Sequence, residues 1–464
     1  MSVGGLARSG LNSLPGVQLG PAEGELPSAS ALDNARLNAL VVVPNALQGI
    51  FRRRRRAVGA ATRADVDRWA VGLLAGMRRA HGGKPVWVRL VTAPALLLLS
   101  VDDIRIALEG SPDPFAPDPE AKRKGISHFQ PDALTISRGE DWAERRRFAE
   151  AVLDTRAPAH RCSERFAAVV AEEAAALLDT VYGAGGELEW DGFALAVRRI
   201  TRRVVLGDAA RDDEELSDVL AQMMEAANSM PDEPSPQLEP FLARTGGYVR
   251  RAEEGSLASL VADAPQGART LPVRQVTHWL FAMGDTLAIN AFRALAALSS
   301  HPEDVAAVEA ELPVEGDLDA AAITKLVHLE RCLHEAMRLW PTTPMLSREL
   351  IAPAQLGGVE VPAGTQVLIV NTFMHRDRDR HPHADRFAPD SWCGGADDWS
   401  FNHLSHGPQG CPGADLALFV GKGLLGAVLR DRRVTVTHGG LDPTRPMPHM
   451  LDFFAIRFDV ADKT

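Results

Sequence analysis

The chain has 464 residues, 45% hydrophobic and 24% charged, the balance of a soluble globular protein rather than a disordered or fibrous one. A formal net charge of −11 argues against nucleic acid as a partner. The four cysteines (Cys162, Cys332, Cys393 and Cys411) form no CxxC pair, which excludes a zinc knuckle or redox motif and, at this density, a disulfide framework. A reducing cytoplasm is the expected setting.

Residues 1–35 are rich in Gly, Ser, Pro and Ala without periodicity and read as a flexible tail. No basic stretch precedes an apolar core there, so no signal peptide is expected. Residues 37–51, LNALVVVPNALQGIF, contain Pro44 and fall short of the ~20 apolar residues that a spanning helix needs. Five arginines follow, Arg52 to Arg56. The segment reads either as a surface helix with a basic end or as a weak peripheral membrane contact; no transmembrane segment is expected. Residues 62–80 are helical and basic. Residues 85–100 give two short strands with a turn at 92–94, followed by a helix over 101–109 and a loop over 110–138.

Three- and four-residue apolar spacing predicts helices over 142–153, 163–180, 190–206 and 212–230, with a break over 230–237. Residues 275–300 form a long, mostly apolar helix that should be buried. Another helix over 323–339 is stopped by Pro341. Strand-like pieces follow at 359–361 and 366–371, then an irregular stretch over 382–409 and a helix over 414–429. Runs at 434–438 and 452–460 could pair as a hairpin. The fold class is therefore mainly α with a minor β part (α+β), with residues 36–464 as one interwoven unit.

Four motifs carry chemistry. In HLSHGPQGCPGADLALF, residues 403–419, Gly407, Gly410 and Gly413 punctuate a loop that delivers Cys411 directly before a helix. A helix start favours a thiolate, which could ligate a metal; a buried structural cysteine has the same pattern. In HEAMRLWP, Glu335 and Arg338 share one helix face, as a solvated pair or as a buried one. In FAMGDTLAINAF, Asp285 and Thr286 interrupt an apolar helix beside Gly284, which allows a local widening. That pair is either a proton relay or a threonine bonding its own helix beside an exposed acid. In DWAERRRF, Trp142 and Arg146 lie four apart, with donors suited to carboxylates; Arg348 is a further candidate clamp.

The order W-x-x-x-R, G-D-T, E-x-x-R, Arg, H-R-D and G-x-x-x-C-x-G resembles the cytochrome P-450 family, in its bacterial-type soluble form, from about residue 58 to the C-terminus. The resemblance implies a long central I helix over a buried haem b (iron protoporphyrin IX), with Cys411 as the axial, metal-binding thiolate. It makes Glu335 and Arg338 a structural pair. It places Ala282, Asp285 and Thr286 at the oxygen-activating section, with Asp285 and Thr286 catalytic. Trp142, Arg146, Arg348 and His375 resemble groups around the haem propionates, alongside Gly407 and Gly413 of the cysteine loop. The implied activity is insertion of one oxygen atom from O2 into an apolar small molecule. Electrons would come from a separate ferredoxin or flavodoxin with its NAD(P)H reductase. A peroxide-driven peroxygenase and a non-catalytic haem sensor are the alternatives.

Several positions depart from the family pattern. Leu404 replaces a Phe, Gln409 an Arg or His, Met283 a Gly, and Leu287 a hydroxyl. Ser391 stands where an Arg usually joins the E-x-x-R pair, with Arg386 nearby. Pocket-forming segments are expected at 110–135, 222–238, 280–286, 342–346 and 449–451.

Overall fold

The longest apolar stretch of the sequence becomes the axis of the molecule. In the computed structural model, which describes residues 25–91, 93–183, 185–394 and 398–463, Pro272–Ser299 is one helix of 28 residues. It is the single described helix long and apolar enough to cross a membrane, but 72% of its apolar window is buried inside the protein. Ala288, Phe292, Leu295 and Leu298 are fully buried, and Phe292 packs edge-on against Phe458 at 5.1 Å. The helices Ser163–Gly183, Trp190–Leu206, Val327–Leu339 and Ala414–Asp431 surround it and share the larger of two hydrophobic cores.

The smaller core lies on a five-stranded sheet, in the order Val86–Arg89, Pro94–Leu97, Gln366–Val370, Met345–Leu350, Phe115–Ala116. Leu96 and Leu97 pair in parallel with Val367 and Leu368. All four are buried, as expected of strands covered on both faces. Met345–Leu350 pairs antiparallel with Gln366–Val370 and carries Arg348 at a fixed register opposite Val367. The expected hairpin forms between Arg432–His438 and Arg457–Asp462, starting later than 452 because residues 453–455 turn. Glu187–Glu189 adds a third strand to it.

Three expectations are corrected. The loop over 110–138 contains a helix, Glu120–Ser127, whose polar sequence hides any apolar period. The tail over 1–35 is shorter. Residues 1–24 lie outside the described residues, but Ala29 donates to the Trp87 carbonyl at 2.8 Å, Trp87 donates back to Pro27, and Ser30 caps the helix Ala31–Leu37. Leu26, Leu37 and Val41 are buried in the smaller core; their spacing is too wide to show a period. The arginine run is not a free basic patch either. Arg52 pairs with Asp285, Arg54 with Glu225 and Arg55 with Asp191, while Arg53 donates to the Thr342 carbonyl. On the segment before the arginines, Val43, Leu47 and Ile50 are exposed.

Glu335 and Arg338 are both fully buried. Arg338 donates to Glu335 at 2.7 and 2.6 Å and to the carbonyls of His375, Ala384 and Arg386. Glu335 also accepts from the Ala388 amide at 2.8 Å and from the Trp392 indole at 2.9 Å. Neither Ser391 nor the Arg386 side chain completes the pair: Ser391 bonds Ala388, and the Arg386 side chain is exposed. Trp392 takes that place. Glu335→Ala leaves a guanidinium without its counter-charge and should cost about 3–5 kcal/mol, read as a loss of folding stability in chemical denaturation.

Candidate active site

The cysteine loop is built by one obligatory glycine and several clamps. Gly407 has φ +64°, and a Cβ there would lie 2.4 Å from the Leu108 carbonyl oxygen, so no other residue fits. Gly413, by contrast, has a negative φ and room for a Cβ; it caps the helix Ala414–Asp431. The Cys411 amide donates to the Leu404 carbonyl at 2.9 Å. Arg146 reaches the loop directly, donating to the Gly410 carbonyl at 2.6 Å and to Glu150 at 2.7 Å. Thr155 donates to the Pro412 carbonyl at 2.6 Å. Thus the helix Gly139–Val152 and the turn after it hold the loop from one side.

Cys411 keeps accessible surface although protein closely surrounds it, and so faces an internal recess. Burial pushes its thiol pKa up, opposed by a hydrogen bond from the Gly413 amide and by the Arg146 charge. Burial thus opposes the thiolate that the helix start favours, and coordination to a metal cation would favour it, since a bound ion deprotonates a coordinating thiol outright. The described cysteines are all free.

The central helix widens where expected. Ala282–Leu287 is a π-helical turn, placing Asp285 and Thr286 at a bulge in an otherwise regular helix. Gly284 lies over Arg198 and Thr201 of Trp190–Leu206, and Leu287 lies against Gly421 of the helix that follows Cys411. Met283 is buried in the larger core. The Thr286 hydroxyl makes no hydrogen bond among the described residues, so it does not bond its own helix. Asp285 pairs with Arg52 at 3.4 Å. Burial raises its pKa, opposed by Arg52 and Arg198. These groups line a cavity of about 20 Å³ together with Thr201, Ser217 and Met224, room for a single water.

Several polar groups of the fold are left for an anionic ligand. The Trp142 indole nitrogen and the Gln409 side-chain nitrogen are buried without partners. Arg348 is buried, bonded only to the neutral Ser111 hydroxyl and the Ser347 carbonyl, and burial lowers its pKa to about 10. Lys122, which the sequence reading missed inside its supposed loop, is half-buried and donates to the carbonyls of Pro117 and Thr135, at 2.8 Å each, and to the Thr135 hydroxyl at 2.9 Å. Desolvation, then the Arg348 charge, push its pKa down to about 7, against Asp118. Arg348, a buried cation with no carboxylate partner among the described residues, suits a ligand with carboxylates. His375 does not join them. Its ring is fully buried, with one nitrogen on the Arg338 carbonyl at 3.1 Å and the other accepting from the Asn402 amide at 2.9 Å. It ties the 327–339 helix to Asn402, ahead of the cysteine loop, while Arg376 is spent on Asp385 and the carbonyls of Met447 and Pro448. Sequence spacing cannot tell a histidine facing a ligand from one facing carbonyls.

A cysteine presented by a glycine-turned loop, a π-turn of the central helix packed on the helix that this cysteine leads, and a buried Glu–Arg pair make up the site. Residues 272–454, which hold all three, match the family model described as Cytochrome P450. Among curated proteins the chain is similar to "Cytochrome P450 4c3" of Drosophila melanogaster, 30% identical over 34% of this chain and 32% of that protein. It is also similar to "Probable cytochrome P450 313a5" of the same fly, 33% identical over 35% and 36%, and to "Cytochrome P450 4V2" of Homo sapiens, 29% identical over 39% and 36%. The matches span about a third of each relative's length, and the relatives are eukaryotic, not bacterial.

Two outcomes follow from this geometry. Cys411→Ser should abolish the red-shifted Soret band of the ferrous–CO complex; its persistence would make another cysteine the ligand. Lys122 has a lowered folded pKa, so the unfolded chain binds more protons between about pH 7 and 10.5 and stability should rise across that window. Lys122→Met should flatten this rise in haem-free protein, measured by denaturation at several pH values.

Proposed function

We propose that the chain is a haem-thiolate monooxygenase inserting one oxygen atom from O2 into an apolar small molecule, by hydroxylation or epoxidation. The observation that carries this reading is the packing of the Asp285–Thr286 π-turn against the helix that Cys411 leads. Cys411 would hold the iron, and Arg348, Trp142 and Gln409 would receive the propionates. Haem iron on a cysteine thiolate activates dioxygen, the sulfur pushing electron density toward O–O cleavage. The protein's share is positioning, exclusion of water and proton supply. Thr286 offers a hydroxyl whose hydrogen bonds are unspent within the fold. Asp285 receives a proton at its carboxylate from the small cavity beside it and passes it along the helix, with Arg52 holding it in place. Ala282 keeps the neighbouring position small. The apolar side chains of Leu280 and Phe281 exclude water from one side.

The setting proposed is soluble and cytoplasmic, with electrons from a separate ferredoxin or flavodoxin and its NAD(P)H reductase. Arg147 and Arg156, exposed on the segment that clamps the cysteine loop, offer positive charge to an acidic donor. Because the relatives are insect, human and plant proteins, a diflavin reductase belongs in the same comparison.

The test is turnover with each donor against turnover with hydrogen peroxide alone. Donor-driven product supports the reading; product with peroxide only makes the protein a peroxygenase. In the donor-driven reaction Thr286→Ala should leave haem content and the CO spectrum intact but release most reducing equivalents as hydrogen peroxide. A proton transfer of this kind contributes typically ~10²–10⁴-fold to its step. The measurement is product and peroxide per NAD(P)H consumed, and an unchanged product yield would overturn the relay.

A further inference from the structure

Residues 49–54 join the helix Val43–Gln48 to the helix Arg55–Ala64 and form a sharply folded loop. Gly49 has φ +87°, and a Cβ there would stand 1.9 Å from the Arg52 carbonyl oxygen. The Arg54 amide closes the loop on the Gln48 carbonyl at 2.8 Å. Asn228, at the end of the helix Glu214–Ala227, grips its backbone twice: the Phe51 amide donates to Oδ1 at 2.9 Å, and Nδ2 donates to the Arg52 carbonyl at 3.0 Å.

What the loop touches gives it a role. The Phe51 ring packs edge-on against Phe129 at 5.7 Å, and Phe129 packs in the same way against Phe281 of the central helix at 5.9 Å. A Cβ on Gly125 would lie 2.2 Å from the Phe51 ring, so the helix Glu120–Ser127 carries a notch shaped for it. Arg52 reaches Asp285, Arg53 the Thr342 carbonyl at 3.1 Å, and Arg54 Glu225 at 2.7 Å. Arg53 also lines a second cavity, of about 40 Å³, with Met450 and Leu451. One six-residue loop thereby touches four of the five segments that the sequence marks as pocket-forming and shares a cavity with the fifth. Arg52, Arg53 and Arg54 each spend their charge on a neighbour, so the ring is what the loop offers an apolar guest.

We propose that residues 49–54 form a wall of the substrate pocket and that Phe51 is a specificity-determining residue limiting the size of the apolar molecule admitted. This rests on the haem-thiolate reading above. Gly49 makes the turn, Asn228 fixes the loop, Gly125 seats the ring, and Phe51 sets the limit. Substrates of the unmodified protein are accordingly compact apolar molecules, and shortening Phe51 admits bulkier ones.

The experiment is optical titration of the full-length, haem-loaded protein with two iron-binding probes, imidazole and the bulkier 4-phenylimidazole. Phe51→Ala should tighten 4-phenylimidazole relative to imidazole by about tenfold, the lower end of what pocket size alone discriminates. Asn228→Ala, which frees the loop without opening a cavity, should shift the ratio in the same direction and serves if Phe51→Ala fails to fold. Leu47→Ala, at an exposed side chain on the preceding helix, should leave the ratio unchanged. If imidazole shifts the Soret band normally but the ratio is that of the unmodified protein in every folded variant, the loop is not a pocket wall. If imidazole gives no Soret shift in the unmodified protein, the haem-thiolate reading fails and this assignment falls with it.

Discussion

A fully buried ion pair, Glu335 with Arg338, organises the cysteine side of this molecule. Burying two charges is costly unless every donor and acceptor is met. Here the guanidinium meets carbonyls of residues 375, 384 and 386 as well as Glu335, and the carboxylate meets the Ala388 amide and the Trp392 indole. The irregular stretch before the cysteine loop has little secondary structure to fix its path. The pair supplies that path, and His375 extends the same network to the Asn402 amide, a few residues before Cys411. Geometry at the sulfur thus depends on hydrogen bonds made well away from it.

The opposite side is organised by the π-turn. Regular helix would leave Asp285 and Thr286 pointing along a uniform apolar surface. One extra residue in the turn breaks the ladder locally and leaves the Thr286 hydroxyl unspent. Asp285 is then partly desolvated, which raises its pKa, and a guanidinium from a distant part of the chain limits the rise. The N-terminal loop is therefore electrostatically part of the helix it crosses, although more than 200 residues separate them in sequence: Arg52 and Asp285 are 233 apart.

Local pattern was enough for much of this protein. The central helix, the helix after Cys411, the C-terminal hairpin and the π-turn were legible because each rests on short-range rules: apolar period, a helix-breaking Gly, alternation. The cysteine, the acid–hydroxyl pair and the Glu–Arg pair were legible for the same reason, each being a motif within a few residues. The helix Glu120–Ser127 was not, since its sequence EAKRKGIS has no apolar stripe and buries only Gly125 and Ile126.

Tertiary structure alone decided which polar atoms are left over. Arg146 and His375 have the right chemistry for a carboxylate, yet their donors are taken by carbonyls of the cysteine loop and the 327–339 helix. Arg348 keeps a buried charge that no carboxylate among the described residues pairs with. The five arginines after residue 51 looked like one surface patch in sequence. In the fold, four of them part to four different segments, because a turn at Gly49 and the grip of Asn228 aim consecutive side chains in different directions. Sequence determines which groups are available; only packing determines which partners reach them first, because burial forces each polar group to be satisfied and distance decides by whom.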